Sequence, residues 1–374
     1  MVSAAYLFLT YLIAWFIITL LLYVRERDIA EGKVVVTPLV VSIKTAFTFE
    51  RFAKLRGNRM IGLFFDLGIA DMVVVMFAAY YVLISNIASA VETGQRVGVV
   101  APIIPGVTIG FRTFLYLLPG LVVGVLLHEA FHAMAARYEG IRVRSSGLML
   151  FLGVIPAAFV EPDEEELRRA GLRAKARIYS AGVWANTLLF LLFSALLAAV
   201  THGGFYIAIS TVPGGVAAKA GLPENIIADK IVVNDTVFEN VTGFIEYIAK
   251  LRSAHNGTLR GVALLVEFHS VDGRTYRVYK PSDAEAIGIY LYMVPRSLAA
   301  LGPALALAIF LVLFYGQAVN IGLAGINAMP LFITDGAQFL QSMAESRLEE
   351  RKARQLVMVA SAATLALLLP NIAI

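Results

Sequence analysis

The chain has 374 residues, 59% of them hydrophobic and only 16% charged, with no cysteine and a formal net charge of +4. Soluble domains run about 45–50% apolar and about 25% charged, so this composition, with a mean hydropathy of +0.76, excludes an ordinary soluble protein. Without cysteine there are no disulfides, thiolate nucleophiles or cysteine metal sites, and any metal must be held by His, Asp or Glu. The positive charge does not point to nucleic acid, because the basic residues fall in loops between apolar runs.

A bilayer takes about 20 apolar residues per helical span. The first run, 4–24, lacks a basic leader and a small-residue cleavage site and is followed by RER, which predicts a retained span rather than a signal peptide. Residues 25–59 are basic (Arg25, Arg27, Lys33, Lys44, Arg51, Lys54, Arg56, Arg59) and contain a strand-like stretch, VVVTPLVVSI. A second span is predicted at 60–86, then a Pro-containing linker over 87–111 that reads as a re-entrant or surface hairpin. The third span covers 112–137. The apolar piece 147–160 is too short to cross and predicts a re-entrant loop or a strand pair beside it. A fourth span covers 178–200. Residues 201–292 then turn mixed polar and apolar, with short β-like runs, which predicts a small domain inserted in a membrane loop. Apolar sequence resumes at 297–328, and a last span covers 355–372. The expectation is a polytopic α-helical membrane protein of about six spans: a membrane region 1–200, an insert 201–292 and a second membrane region 293–374.

Lys and Arg crowd 25–59, 137–177 and 346–354, whereas 87–111 holds only Arg96. By the positive-inside rule the N-terminus and the insert lie outside the cytoplasm. The compact chain with no organelle signal suggests a prokaryotic cell membrane.

The third span contains VLLHEAFHAM, residues 125–134. His128 and His132 are four apart, so on a helix both imidazoles leave one face. That spacing suits two ligands of one zinc, with Glu129 beside them as general base. A catalytic zinc takes three protein ligands and keeps one open position. The third ligand is expected in NAMPLFITDG, 327–336, where Asp335 follows Pro330 and precedes Gly336 in a broken segment. Irregular backbone at membrane depth is tolerated where it is buried or lines a cavity.

Plainer readings exist. The three motif residues would be unremarkable at a helix end among headgroups, although ionisable groups within a span are functional by default. Asp335 would serve as a helix N-cap. His202, His255 and His269 lack ligand-like spacing, and EPDEEE (161–166) reads as a solvated helix start with carboxylates near its N-terminus.

With HEAFH (128–132), the N-x-x-P-x-x-x-x-D-G pattern of 327–336, and SAGVWAN (180–186) matching S-x-G-x-x-x-N, the chain resembles the site-2 protease family of intramembrane zinc metalloproteases. GLMLFLGVIPAAFVEPDEEE is similar to the membrane-associated loop after that family's zinc helix, and order and spacing agree over most of 112–345. The insert resembles a PDZ-type α/β module, with THGGFYIAIS (201–210) as the peptide-binding loop and strand, Gly203, Gly204 and Phe205 at its head. It departs from that pattern after AGL (220–222), where the usual Gly-Asp turn is missing.

The resemblance implies one Zn²⁺ on His128, His132 and Asp335, with Glu129 moving the proton, and Asn186 and Asn327 on substrate backbone or oxyanion. Helix–helix adhesion is the competing role for both asparagines. It implies transmembrane protein substrates, lipid contact and possible capture of a peptide C-terminus by the insert. Two rivals stand beside it. One is a prenyl-protein type of peptidase, whose third ligand would be a downstream glutamate, here Glu345, Glu349 or Glu350. The other is a zinc-binding receptor or transporter without catalysis.

Overall fold

The computed structural model describes residues 4–25, 28–29, 34–45, 47–95 and 98–373. Arg27, Lys33 and Arg96, counted above for orientation, lie outside them. The helices and strands run in the order α1 (Ala4–Arg25), β1 (Asp28–Ile29), β2 (Val34–Thr37), β3 (Val40–Thr45), α2 (Arg59–Thr93), α3 (Phe111–Glu139), β4 (Val143–Phe151), β5 (Ile155–Pro162), α4 (Glu164–Arg169) and α5 (Leu172–Thr201). There follow β6 (Phe205–Thr211), α6 (Val216–Lys219), β7 (Ile226–Val233), β8 (Thr236–Phe238), α7 (Val241–Ala254), β9 (Leu264–Ser270), β10 (Thr275–Lys280), β11 (Ile289–Pro295), α8 (Pro303–Ala328), α9 (Asp335–Glu345) and α10 (Glu350–Leu368). Among the described residues five helices are long and apolar enough to cross a membrane: α2, α3, α5, α8 and the stretch Glu350–Asn371. The first expected span is helical as α1, but its apolar part, Leu9–Val24, is shorter.

The chain divides into two compact units, Met1–Leu192 with Tyr315–Ile374, and Phe193–Phe314. The second is wider than 201–292, because Ala306 at the start of α8 packs on Ala208 of β6 and Val294 of β11.

In the first unit, helix ends follow local chemistry. Asn58 caps α2 by accepting the Met60 and Ile61 N–H groups, and Gly94 and Gly140 close α2 and α3 in the left-handed region. The helices α3 and α8 cross at glycine: a Cβ on Gly120 would lie 2.6 Å from the Gly316 Cα. Small residues spaced by four are what lets membrane helices approach this closely, and Gly120 and Gly124 have that spacing. Beside α3 lies a five-stranded antiparallel sheet in the order β1-β2-β3-β4-β5. The stretch 147–160 is thus a strand pair, and the strand-like stretch of the N-terminal loop joins it, with Val40 opposite Phe151 and Thr45 opposite Ser146. Both hairpin tips use left-handed leucines, Leu39 and Leu152, a costly conformation for such residues. Helix α1 holds them: the Tyr11 hydroxyl donates to the Leu152 carbonyl (2.9 Å), Trp15 Nε1 donates to the Leu39 carbonyl (3.2 Å), and Thr19 Oγ1 accepts the Leu39 N–H (3.1 Å). The EPDEEE run is a helix start, with Asp163 accepting the Glu165 and Glu166 N–H groups at the head of α4.

The second unit is an antiparallel sheet in the order β10-β9-β7-β6-β11, with β8 on β7, around a core that includes Ile207, Ile231, Phe244, Val266 and Phe268. Lys280 is fully buried and its ammonium donates to the Leu259, Val262 and Pro281 carbonyls, the pairing a buried charge requires. Burial holds its pKa below the ordinary lysine value. The strand expected to bind a peptide has neighbours on both edges. Strand β6 is hydrogen-bonded on both sides, by β7 and by β11, so the chain itself occupies the edge a peptide would use. At its head the Gly204 N–H is spent on the Thr201 carbonyl, closing α5, and the Gly204 carbonyl accepts the Arg296 N–H. Phe205 packs edge-on against Phe310.

Candidate metal centre

His128 and His132 lie one turn apart on the buried face of α3. Asp335 is the first residue of α9 and comes to them through the irregular segment after α8. Several bonds shape that segment. Thr334 Oγ1 donates to the Met329 carbonyl and accepts the Leu331 N–H, while the Phe332 N–H donates to Ser361 of α10. Phe332 is left-handed (φ 44°). The glycine after Asp335 is required by contact, since a Cβ on Gly336 would lie 2.0 Å from the Ala328 carbonyl oxygen. Thr334, not Asp335, caps α9, accepting the Ala337 N–H.

Three ligand atoms converge. His128 Nε2 and His132 Nε2 are 3.2 Å apart, and Asp335 Oδ2 lies 3.1 and 3.2 Å from them. Each imidazole commits its other nitrogen: His128 Nδ1 to Asn186 Oδ1 (2.6 Å) and His132 Nδ1 to the Ile178 carbonyl (2.7 Å). Both partners accept, so both Nδ1 atoms carry hydrogen and both Nε2 lone pairs face the aspartate oxygen. Three such acceptors in contact repel unless a cation lies among them. A tetrahedral ion with bonds of about 2.0–2.1 Å sets its ligands about 3.3–3.4 Å apart, close to what is found.

Room for an ion comes from α5. A Cβ on Gly182 would sit 2.3 Å from His132 Nε2 and 2.5 Å from His128 Nε2, so the bare glycine keeps the space open. Among the described residues no other set of His, Asp or Glu side chains gathers in this way. Glu345 instead accepts from Gln341, and Glu349 and Glu350 pair with Lys352 and Arg354 on the surface, so the rival third ligands lie elsewhere.

The supports of the site are helix-borne. The Ile178 carbonyl follows Arg177, whose guanidinium binds Asp66 of α2 through two hydrogen bonds (2.8 Å each) and Glu139 of α3 (2.7 Å), tying three helices. Asn186 is fully buried and, beyond His128, donates to the Gly124 carbonyl (3.2 Å) and to Asn320 Oδ1 (3.1 Å). Asn327 is half-buried, and its side chain makes no hydrogen bond with the described residues. Glu129, half-buried between the two histidines in sequence, has its carboxylate beside the Val160 N–H of β5. Polar contacts between membrane helices average about 0.6 kcal/mol. At that scale Asn186 adds little adhesion, and its bond to His128 ties it to the site. His202, His255 and His269 are absent from the site; His255 Nδ1 donates to the Leu251 carbonyl on its own helix.

Sequence reading passed over Asn320 and gave no role to Gly182 or Gly124. The last of these had a visible signal in the Gly120–Gly124 spacing, and Asn320 stood out only as a lone amide in an apolar run.

A family model described as Peptidase family M50 matches residues 116–368. The chain belongs to peptidase family M50, the site-2 protease family. The match takes in α3, α5 and α9, which carry the three converging ligands and Gly182. Two relatives are similar over shorter stretches. An uncharacterised protein of Methanocaldococcus jannaschii is 36% identical over 27% of this chain and 24% of its own length. A membrane-bound transcription factor site-2 protease homolog of Arabidopsis thaliana is 27% identical over 39% of this chain and 28% of its own. In each alignment the chain spans about a quarter of the relative. As an M50 chain with five helices able to span a bilayer, it is a membrane protein of a metallopeptidase family.

Proposed function

We propose that this chain is an intramembrane zinc metalloendopeptidase that cuts peptide bonds within or next to the transmembrane helices of other proteins. The observation that carries the reading is the triangle of His128, His132 and Asp335 ligand atoms, both imidazoles already committed at Nδ1 and Glu129 adjacent. His128, His132 and Asp335 would hold a zinc ion, which would supply Lewis acidity for the scissile carbonyl and the attacking water. Glu129 takes the proton of the attacking water and returns it to the leaving amine as the C–N bond breaks. Asn327, its side-chain amide uncommitted among the described residues, holds substrate backbone in this reading. Asn186 serves the site through His128, and any hold on substrate would be additional to the bonds it already makes.

A transmembrane helix presents no free amides, so it must unwind before attack. Strand β5 forms one edge of its sheet and lies along α3, which makes it a template for the unwound segment. Water reaches the site from the cytoplasmic side, with the N-terminus and the PDZ-like insert outside. The insert filters or positions substrates rather than capturing a peptide on β6. Helix-destabilising residues in the substrate favour cleavage.

The test is to incubate the purified protein with a single-span protein whose span carries an Asn-Pro pair, and to locate the cut by mass spectrometry. The expected cut lies inside the span or within a few residues of it. Cuts confined to the soluble tails would overturn the proposal.

A further inference from the structure

The hydrogen-bond chain behind His128 ends on a residue that no motif contains. Asn320 lies in α8, fully buried. Its Nδ2 donates to the Gly316 carbonyl (2.8 Å) and to the Gly120 carbonyl (3.2 Å). Carbonyls only accept, so this side of the amide must be the NH₂ group. Oδ1 is thereby aimed at Asn186 and can only accept from it. Asn186 Nδ2 spends its two hydrogens on Asn320 Oδ1 and the Gly124 carbonyl, and its Oδ1 then faces His128 Nδ1. Each link admits one polarity. Flipping Asn320 would set an oxygen against two carbonyls and an NH₂ against an NH₂.

We infer that Asn320 is a positioning residue for the metal centre: it holds Asn186 in the orientation that keeps hydrogen on His128 Nδ1 and the Nε2 lone pair on the metal side. The same side chain joins α8, which leads to Asp335, to α3, which carries both histidines, where Gly124 leaves it room: a Cβ there would lie 2.6 Å from Asn320 Oδ1. One amide therefore sets both the proton placement on one ligand and the spacing between the helix that carries both histidines and the helix that leads to Asp335. The inference rests on the metal-site reading above.

The test measures zinc affinity of the full-length protein in detergent by competition with a chromogenic chelator, together with the visible spectrum of the Co²⁺-substituted form. Asn320→Leu keeps side-chain size and removes the polarity. It is expected to weaken zinc binding about 10–100-fold, as loss of an outer hydrogen-bond partner does, and to alter the cobalt spectrum. Asn320→Asp keeps an acceptor toward Asn186 but sets an oxygen against the Gly120 and Gly316 carbonyls, so it is expected to weaken zinc binding as Asn320→Leu does. Asn186→Leu and the double variant are expected to bind zinc equally weakly, because serial links are not additive. If Asn320→Leu does not fold, Asn320→Ala carries the same expectation. Wild-type affinity and spectrum in the folded Asn320 variant, or losses that add in the double variant, would overturn the inference while leaving the metal centre standing. A wild-type protein that binds no zinc would remove the metal-site reading and the inference with it.

Discussion

Replacing Gly182 by alanine is expected to abolish metal binding and proteolysis while leaving the fold intact. The added Cβ would lie 2.3 Å from His132 Nε2 and 2.5 Å from His128 Nε2, inside the space where ligand lone pairs meet. Neither side can yield easily. His132 is held by the Ile178 carbonyl and His128 by Asn186, both on the same helix as the glycine. That helix is in turn fixed by the Arg177–Asp66 pair and by Gly68 packed on Trp184. Alanine is a better helix former than glycine by about 1 kcal/mol, so the substitution does not weaken α5 as a helix. Zinc retention should therefore fall by more than the roughly 10–100-fold typical of outer hydrogen-bond partners, while the overpacking costs about 1–3 kcal/mol and lowers the melting temperature modestly without unfolding the protein. Metal analysis after dialysis and a thermal melt in detergent separate the two effects. One zinc per chain in the alanine variant would show that the space is not needed.

Glu129→Gln is expected to lower cleavage about 10²–10⁴-fold, the range general-base catalysis supplies, while leaving zinc binding near wild type. Glu129 is not among the converging ligand atoms. The amide keeps the shape of the side chain and loses only the ability to take a proton. A turnover assay on the single-span protein, run beside metal analysis of the same preparation, reads both quantities. Cleavage at the wild-type rate would move the base elsewhere. Loss of zinc along with activity would make Glu129 part of the metal site.

The parts legible in the sequence were those where unlike residues interrupt a uniform background. HEAFH stands out because ionisable groups are expensive in a span, and Asp335 because its segment is broken by Pro330 and followed by Gly336. The structure brings the ligands of both motifs to within 3.2 Å of one another. What the sequence hid were pairings across long separations. The joining of β3 to β4 links residues about a hundred apart, and no local pattern announces it. Gly182 sat in a quoted motif, but its contact with both histidines needs three-dimensional registry of α5 on α3. Asn320 looked like an ordinary lone amide because its partners are backbone carbonyls, which every residue has. The glycine pair before β6 misled, since a closing turn after α5 and a peptide-binding loop use the same residues, and only the pairing of β6 with β11 tells them apart.

The most direct test of the central claim is to strip the purified protein of metal and titrate zinc back while following cleavage of the single-span protein. Cleavage should be lost on stripping, rise in proportion to added zinc and saturate at one ion per chain. Undiminished cleavage by the stripped protein would contradict the account.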